Sequence, residues 1–160
     1  MKTYKGLVKN LEPHQIFVFG SNPEGIHGAG AAKVAKDYYG AILGKGRGLM
    51  GRSYGLVTKN LSKGFFEKET GITYDLAGER SVSKTQILLN IIELYLYASA
   101  NTQLEFMVAY TPAPNLNGYT PIEMAELFLS VPVPNNIVLN EELIEMYNEH
   151  QKGAKKETIE

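Results

Sequence analysis

The sequence predicts an α/β fold in three layers, α/β/α, with a mixed, mainly parallel central sheet. Two observations predict this class. Apolar runs without polar alternation, as in strands buried on both faces of a sheet, occur at residues 16–19 and 104–110. Segments with helical spacing alternate with such runs, which is the pattern of a layered α/β domain. The chain of 160 residues has the size of one domain, which we expect over residues 1–149, with 150–160 as a flexible tail.

Composition and charge exclude several classes of protein. The formal net charge of -1 argues against general binding of DNA or RNA, because nonspecific affinity for nucleic acids requires an excess of Lys and Arg. Cysteine is absent and only three histidines occur, so we expect no disulfide, no metal site and no bound cofactor. The absence of cysteine fits a cytoplasmic protein, which we expect here. No apolar run has the length of a membrane span, so we expect no membrane contact. The sequence leaves the oligomeric state open.

The first predicted elements lie before and after one buried strand in the sequence. Residues 3–9 have the mixed pattern of a short edge strand, and Pro13 marks a turn because proline fixes the backbone and lacks a donor. Residues 16–19 form the buried strand. A helix is expected over residues 28–39, where alanines allow close packing on the sheet, and Gly40 ends it.

The turn between this strand and this helix is rich in glycine and polar residues, namely Gly20, Ser21, Asn22, Gly25, His27, Gly28 and Gly30. Glycines let backbone N–H groups approach a ligand closely, and the first N–H groups of a helix carry a partial positive charge. This combination predicts an anion site. A tight structural connection is the alternative, since such turns also occur without a ligand.

The next segment, residues 42–59, has a second run of glycines and ends in a strand predicted at 53–58. Its loop carries three cations, Lys45, Arg47 and Arg52. Two interpretations stay open, because the cations either hold a phosphate or are solvated surface charges. Residues 60–81 are polar with short apolar fragments, and they form either a hairpin or a lid over the site.

The strongest helical pattern in the chain lies at residues 82–98. Its tyrosines are interpreted as packing residues rather than as surfaces that stack on a ligand. The buried strand at 104–110 follows and leads into a loop, residues 111–119. In parallel sheets ligands settle at the carboxyl ends of strands, so we expect this loop and the first glycine turn to line one site.

The C-terminal elements have clear capping signals. Thr120, Pro121 and Glu123 supply the cap residue, the first-turn proline and the reciprocal acid of a helix expected over 121–129. A short strand is expected at 136–139. Asn140 can cap a last helix, which we expect to reach Tyr147.

Several motifs in these segments resemble the macro domain, an α/β module that binds ADP-ribose. They are FVFGSN and HGAGAA in the first loop, a run G-x-G-x-G-L-x-G-x-S-Y, and a later L-x-G-Y. The resemblance covers about residues 16–58 and 108–139, and it extends to bacterial and phage proteins related to macro domains. It implies a small-molecule partner with a diphosphate, such as ADP-ribose or a related nucleotide.

The resemblance also implies which residues contact the ligand. The expected ligand-binding residues are Gly20, Ser21, Gly28, Ala29, Gly30, Ala31, Arg52, Asn115, Leu116, Asn117, Gly118 and Tyr119. Asn22 matches an asparagine that contacts the distal ribose in members that hydrolyse ADP-ribosyl adducts. The chain departs from the family at Pro114 and Asn115, where glycine is usual, and residues 5–10 lack the acidic residue that reads adenine.

Three functions stay open. An enzyme that removes ADP-ribose from an adduct would use Asn22 with His27 as a proton carrier, since imidazoles exchange protons near neutral pH. His27 as a residue that bonds to the backbone is the alternative. A noncatalytic module would bind the nucleotide only, and an interaction protein would present aromatic surface to a partner. A dinucleotide-binding Rossmann fold is the main structural rival, but the glycines do not follow the order G-x-G-x-x-G.

Overall fold

The computed structural model describes residues 1–112 and 115–159. It has a mixed six-stranded sheet, a separate two-stranded hairpin and four helices. The elements are β1 Lys2–Tyr4, β2 Gln15–Ser21, α1 Gly30–Tyr38, β3 Gly48–Met50, β4 Ser53–Val57, β5 Phe65–Glu67, β6 Ile72–Tyr74, α2 Lys84–Ala100, β7 Glu105–Val108, α3 Pro121–Leu129, β8 Ile137–Asn140 and α4 Glu141–Ile159.

The large sheet has the strand order β1-β8-β7-β2-β4-β3. Its neighbouring strands are parallel, except that β3 pairs with β4 in antiparallel orientation. The predicted α/β class with a mixed, mainly parallel sheet is therefore confirmed. Strands β2, β4 and β7 lie side by side, so their carboxyl ends at Ser21, Val57 and Val108 meet at one edge of the sheet.

Strand β2 is buried on both faces, as its sequence predicted. Ile16 and Val18 belong to the larger hydrophobic cluster, which includes buried residues of α2 and α3. Phe17 and Phe19 belong to a second cluster with Ala32 of α1. Because successive side chains of a strand point to opposite faces, the uninterrupted apolar run fills two separate parts of the core.

The helix ends follow the capping signals in the sequence. In α3 the Thr120 side chain accepts a hydrogen bond from the backbone N–H of Glu123, and the Glu123 carboxylate accepts one from the backbone N–H of Thr120. The predicted capping box and the bounds of this helix are confirmed. The Asn140 side chain accepts a bond from the backbone N–H of Glu142, which confirms its predicted role at the start of α4.

The segment 60–81 forms a hairpin, the first of the two predicted alternatives, from β5 and β6. A buried ion pair holds it to the rest of the chain. The Arg47 guanidinium donates to both carboxylate oxygens of Glu67, at 3.1 and 2.9 Å, and to the side-chain oxygen of Asn90 in α2. Burial opposes the charge of Glu67, but bonds from Arg47, Thr70 and Tyr74 hold its pKa below the ordinary value.

Two features differ from the predicted elements. Strand β3 was not predicted, because its three residues begin with glycine and give no periodic signal. Helix α4 continues to Ile159, about three turns beyond the predicted end at Tyr147. The flexibility of residues 150–160 stays a prediction. Ala113 and Pro114 of the predicted loop, and Glu160 of the predicted tail, lie outside the described residues.

Within the described ranges, no helix combines the length and the apolar character needed to cross a membrane.

Candidate functional site

A cavity of about 590 Å³ lies at the carboxyl edge of the sheet, between the two loops that the sequence singled out. The first loop contributes Gly20 to Asn22 and Gly28 to Ala32, and the second contributes Asn115 to Asn117. Because β2 and β7 are parallel neighbours, the loops that follow them meet at one edge, as strand order requires. The predicted convergence of the two loops is therefore present in the structure.

The N-terminus of α1 opens into this cavity. Its N-cap residue, Ala29, has extended dihedral angles and makes no side-chain capping bond, and the first turn contains no acidic residue. The first N–H groups of a helix have no partner inside the helix and carry a partial positive charge. Gly28, Ala29, Gly30 and Ala31 all line the cavity. This end of α1 therefore has the features of an anion-binding helix terminus.

The glycines at this terminus have different physical roles. Gly30 has a φ of 57°, which favours glycine, and a side chain there would meet Leu116 of the second loop. Gly28 has no such constraint, since a Cβ atom added to it would have open space around it. The fold therefore does not require glycine at position 28. Close approach of a ligand to the backbone would require a glycine there.

Lys59 is the cationic residue among the described residues that line the cavity. It comes two residues after the end of β4, so it stands at the same sheet edge as the glycine loop. The sequence reasoning missed this residue. Its position just past a buried strand that neighbours the glycine turn was the signal that would have found it.

Asn22 lines the cavity, but its side chain serves the loop itself. The amide nitrogen donates to the carbonyl oxygen of Ile26 at 2.7 Å, and the amide oxygen accepts from the backbone N–H of Ile26 at 3.0 Å. These two bonds fix the turn that leads to Gly28. Asn22 therefore organises the ligand-facing backbone, and its amide retains one donor hydrogen and one acceptor lone pair for a ligand.

His27 is buried and is not among the residues that line the cavity. Its Nε2 lies 3.1 Å from the carbonyl oxygen of Ile42 and 3.0 Å from that of Lys45. Two carbonyl partners require a proton on Nε2, and the ring packs edge-on against Phe19. This arrangement corresponds to the alternative interpretation, a histidine that bonds to the backbone and holds the loop 42–45 in place.

Side chains of the second loop form hydrogen bonds with the backbone of the same loop. Asn117 is buried, and its amide oxygen accepts from the backbone N–H of Tyr119 at 2.9 Å. Asn115 donates from its amide nitrogen to the carbonyl oxygen of Tyr119. Asn115, Leu116 and Asn117 line the cavity, whereas Gly118 and Tyr119 do not. Tyr119 instead belongs to the core, where its hydroxyl donates to the carbonyl oxygen of Val82.

The three cations of the second glycine run do not line the cavity. Arg52 precedes β4 and donates to the carbonyl oxygens of Leu11 and Glu12, at the opposite end of the strand from Lys59. Lys45 donates to the carbonyl oxygen of Leu49. Arg47 is paired with Glu67 in the interior. These contacts correspond neither to a phosphate clamp nor to free surface charges.

The glycines of this run allow backbone to pack on backbone. A Cβ atom at Gly46 would overlap the carbonyl oxygen of Asn22, and one at Gly55 would overlap that of Gly46. The same holds for Gly25 against the backbone at Lys45. The backbone of the second glycine run therefore packs directly against the backbone of the first loop. At these positions glycine is needed for a tight structural connection and not for a ligand.

Much of the cavity wall is apolar. Leu7 and Leu116 are 64% and 62% exposed, although leucine side chains are usually covered in a folded protein. Further apolar residues line the same space, namely Val8, Ile26, Val34 and Leu61. A patch of this kind around a concave site is typical of a ligand-binding surface.

A smaller cavity of about 90 Å³ adjoins the larger one. The two share six lining residues, Gly20, Thr58, Ala109, Tyr110, Asn115 and Asn117. Beyond this junction the smaller cavity is lined mainly by apolar side chains of the sheet, of α3 and of α4, including Met124, Phe128 and Leu143. The larger cavity therefore has both polar and apolar lining residues, and the smaller cavity extends it between mainly apolar side chains.

The chemical groups at the site favour binding of an anion over acid–base chemistry. Among the described residues that line the larger cavity, the ionisable side chains are Lys59 and Tyr110, with no Asp, Glu or His. Burial, and to a smaller extent the charge of Glu142, raise the pKa of Tyr110, so its hydroxyl keeps its proton at neutral pH. Within residues 1–112 and 115–159, no three His, Asp or Glu side chains are grouped as metal ligands.

Comparisons of this chain with protein-family models, with curated proteins and with solved structures found no match.

Proposed function

We propose that the larger cavity binds ADP-ribose or a related nucleotide diphosphate derivative. The observation that carries this proposal is the uncapped N-terminus of α1, which shares the cavity with Lys59. A helix terminus with free N–H groups and a nearby ammonium group is a favourable environment for phosphate oxygens. The open space at Gly28 allows such an anion to approach the backbone.

The rest of the cavity suits the uncharged parts of a nucleotide. Apolar residues such as Leu7, Val34 and Leu61 offer a surface for a base, and the volume of about 590 Å³ lies in the usual range for small-molecule sites. The motif resemblance to macro domains supports the same class of ligand. It also supports a three-layer, macro-like arrangement of the helices around the sheet, and the absence of cysteine supports a cytoplasmic location.

Binding without hydrolysis is the function that these groups support best. Hydrolysis of an ADP-ribosyl adduct is the second candidate, since Asn22 lines the cavity at the position that the family resemblance marks. However, both ends of the Asn22 amide already bond to Ile26, and His27 bonds to two backbone carbonyls. A general acid or base is thus not evident among the lining residues that the structure describes.

Thermal unfolding with a nucleotide panel tests the proposal. The panel contains ADP-ribose, ADP, AMP and adenosine. Each is added to a concentration of about 5 mM, which is high enough to detect binding at a weak site. A ligand at a hundredfold excess over its Kd stabilises the folded state by about 2.7 kcal/mol. For a chain of this size the rise in Tm should be roughly 5–10 °C. We expect the diphosphates to raise Tm more than adenosine does.

Two lysine variants make the result specific to the cavity. Lys59→Met should weaken ADP binding about tenfold or more, because hydrogen bonds to charged groups are the stronger class. Lys63→Met is the matched control, since Lys63 is exposed and does not line the cavity. No stabilisation by any nucleotide would contradict the proposal and favour the protein-interaction alternative.

Incubation with mono-ADP-ribosylated protein separates the two candidate functions. We expect ADP-ribose to bind and the adduct to remain intact. Release of ADP-ribose by the wild type, lost in Asn22→Ala while the variant stays folded, would establish the hydrolase instead.

A further inference from the structure

Arg80 contacts the second loop of the site, and its backbone conformation is unusual for its residue type. Its φ is 56°, in the left-handed region that favours glycine. Among the described residues other than glycine, only Asn10 shares this feature. The left-handed conformation is unfavourable for a residue with a Cβ atom, so it persists where surrounding contacts fix it.

Three contacts join Arg80 to the second loop. Its backbone N–H donates to the carbonyl oxygen of Asn117 at 2.7 Å, and its Nε donates to the carbonyl oxygen of Gly118 at 3.1 Å. The guanidinium carbon lies 4.7 Å from the centre of the Tyr119 ring. The backbones also pack closely here, because a Cβ atom added to Gly118 would overlap the Cβ atom of Glu79. This turn of the loop therefore lies directly on residues 79 and 80.

The guanidinium of Arg80 is itself held in one orientation. Its two terminal nitrogens donate to the two carboxylate oxygens of Glu123, at 3.1 and 2.5 Å. Glu123 is fixed in turn by the capping box with Thr120 and by Lys84, whose ammonium lies 2.7 Å from one of these oxygens. A bidentate pair constrains direction as well as distance. Arg80 therefore holds the loop in a defined position at the start of α3.

The segment that ends at Arg80 also contacts a different part of the cavity wall. The backbone N–H of Gly78 donates to the carbonyl oxygen of Asn60 at 2.9 Å. Asn60 stands between Lys59 and Leu61, and both of these residues line the larger cavity. The short stretch from Gly78 to Arg80 therefore connects the part of the wall around Lys59 to the second loop.

We infer that Arg80 is a positioning residue of the nucleotide site. Arg80 lines neither cavity itself. It holds the second loop in place relative to Lys59, so that the cavity is formed before the ligand enters. A preformed site binds more tightly, because less conformational entropy is lost on binding. This inference rests on the proposed function.

Stability and net charge are two other routes by which Arg80 affects the site, and Lys84 allows both to be separated from positioning. The side chains of Arg80 and Lys84 are 50% and 47% exposed, and both pair with Glu123. Exposed ion pairs contribute little to stability. Within the described residues, the side chain of Lys84 has no hydrogen bond to the second loop.

The variants Arg80→Met and Lys84→Met each remove one cation from Glu123 and change the net charge equally. Titration calorimetry should show ADP binding weakened about 3- to 10-fold in Arg80→Met, because part of the binding free energy is then used to order the loop. Lys84→Met should change ADP affinity less than about twofold. The Tm of both variants should stay within about 4 °C of the wild type.

Hydrogen exchange of the free protein identifies the loop as the route. The backbone N–H of Gly118 donates to the carbonyl oxygen of Asn115, and that of Tyr119 donates to the side chain of Asn117. These two amides should exchange at least about threefold faster in Arg80→Met than in the wild type, because the loop opens more often. Exchange of the α2 amides should stay as in the wild type, which a general loss of stability would not allow.

Arg80→Lys is a milder variant, which keeps the charge but lacks the planar fork of the guanidinium. It should weaken ADP binding and accelerate loop exchange in the same direction as Arg80→Met, by smaller factors. If Arg80→Met does not fold, Arg80→Lys takes its place in the comparison with Lys84→Met.

The possible results distinguish this inference from the proposed function. Weaker ADP binding together with faster loop exchange, in the Arg80 variants only, supports the positioning role. Wild-type affinity in the Arg80 variants, or equal weakening in Arg80→Met and Lys84→Met, would overturn the inference and leave nucleotide binding intact. Failure of the wild type to bind any nucleotide would overturn both.

Discussion

Asn22 and Ile26 are joined by two hydrogen bonds that use both ends of one side-chain amide. The amide nitrogen donates to the Ile26 carbonyl at 2.7 Å, and the amide oxygen accepts from the Ile26 N–H at 3.0 Å. The residue that family resemblance marks as catalytic is therefore the one that shapes the glycine loop. Its effect on a ligand acts through the backbone that it holds in place.

Asn22→Ala should lower both stability and nucleotide affinity. We expect a loss of about 1–2 kcal/mol in the free energy of unfolding, measured with urea, because two partly buried bonds are removed. Affinity for ADP should fall, since the loop before Gly28 is no longer fixed. Asn101→Ala is the control, because it removes one side-chain bond, to the Tyr97 carbonyl, at a residue that lines neither cavity. Wild-type stability of Asn22→Ala would argue against this role.

Gly28→Val should separate ligand binding from folding. A Cβ at this position meets open space, so the free energy of unfolding should change by less than about 0.5 kcal/mol. The added side chain should nevertheless weaken binding of ADP, because it occupies the space between the phosphate and the backbone.

The matched glycine control is Gly153→Ala, which also has open space around the added Cβ but lies in α4. It should raise stability by about 0.5–1 kcal/mol, as expected for glycine in a helix interior, and leave ADP binding unchanged. Unaltered affinity in Gly28→Val would show that the ligand does not approach this part of the backbone.

Removal of one partner of the buried Arg47–Glu67 pair should be strongly destabilising. Their side chains are 7% and 5% exposed. Arg47→Met leaves the Glu67 carboxylate without its main partner and should cost about 3–5 kcal/mol in urea unfolding. The double variant Arg47→Met, Glu67→Leu should recover part of this loss, because no buried charge is left unpaired. Equal stability of the single and double variants would contradict this account.

The charge of Glu123 should make a pH-dependent contribution to stability. Bonds from Lys84, from the Thr120 backbone and from Arg80 lower its pKa to about 2. A lowered carboxyl pKa in the folded state means that the contribution is complete above the unfolded-state pKa and is lost as the pH falls toward 2. Glu123→Gln should therefore be less stable than the wild type by about 1 kcal/mol near neutral pH.

Unfolding of the wild type and Glu123→Gln across the acid range checks this sign. The difference in free energy should shrink as the pH falls below about 4.5 and should vanish near the pKa of Glu123. A difference that stays constant with pH would assign the effect to packing rather than to charge.

The elements that the sequence predicted correctly have local signals. The apolar run at β2 and the capping residues around Thr120 determine their structures within a few positions of the chain. Strand β3 has no such signal, because it forms only by pairing with β4. The same reason explains Arg47, whose burial depends on Glu67 and Asn90 at distant positions in the chain.

The candidate site could be predicted only in part. The two loops were found because buried strands precede them, and strand order then brings them together. Lys59 was missed because a single cation is not a motif, although its place just past a buried strand was a usable signal. Tyr110 was missed because the strand was predicted to include it, whereas β7 ends at Val108. Arg52 was expected at the site because its position within the loop could not be read from sequence, and the structure places it at the other end of β4.

Nucleotide binding at the N-terminus of α1 is tested most directly by an amide-resolved NMR titration of the wild type with ADP-ribose. The account predicts that the backbone N–H signals of Gly28, Gly30 and Ala31 shift the most, while Gly51, at the far end of β4, stays unchanged. Shifts confined to other surfaces, or no shift at a millimolar ligand concentration, would contradict it.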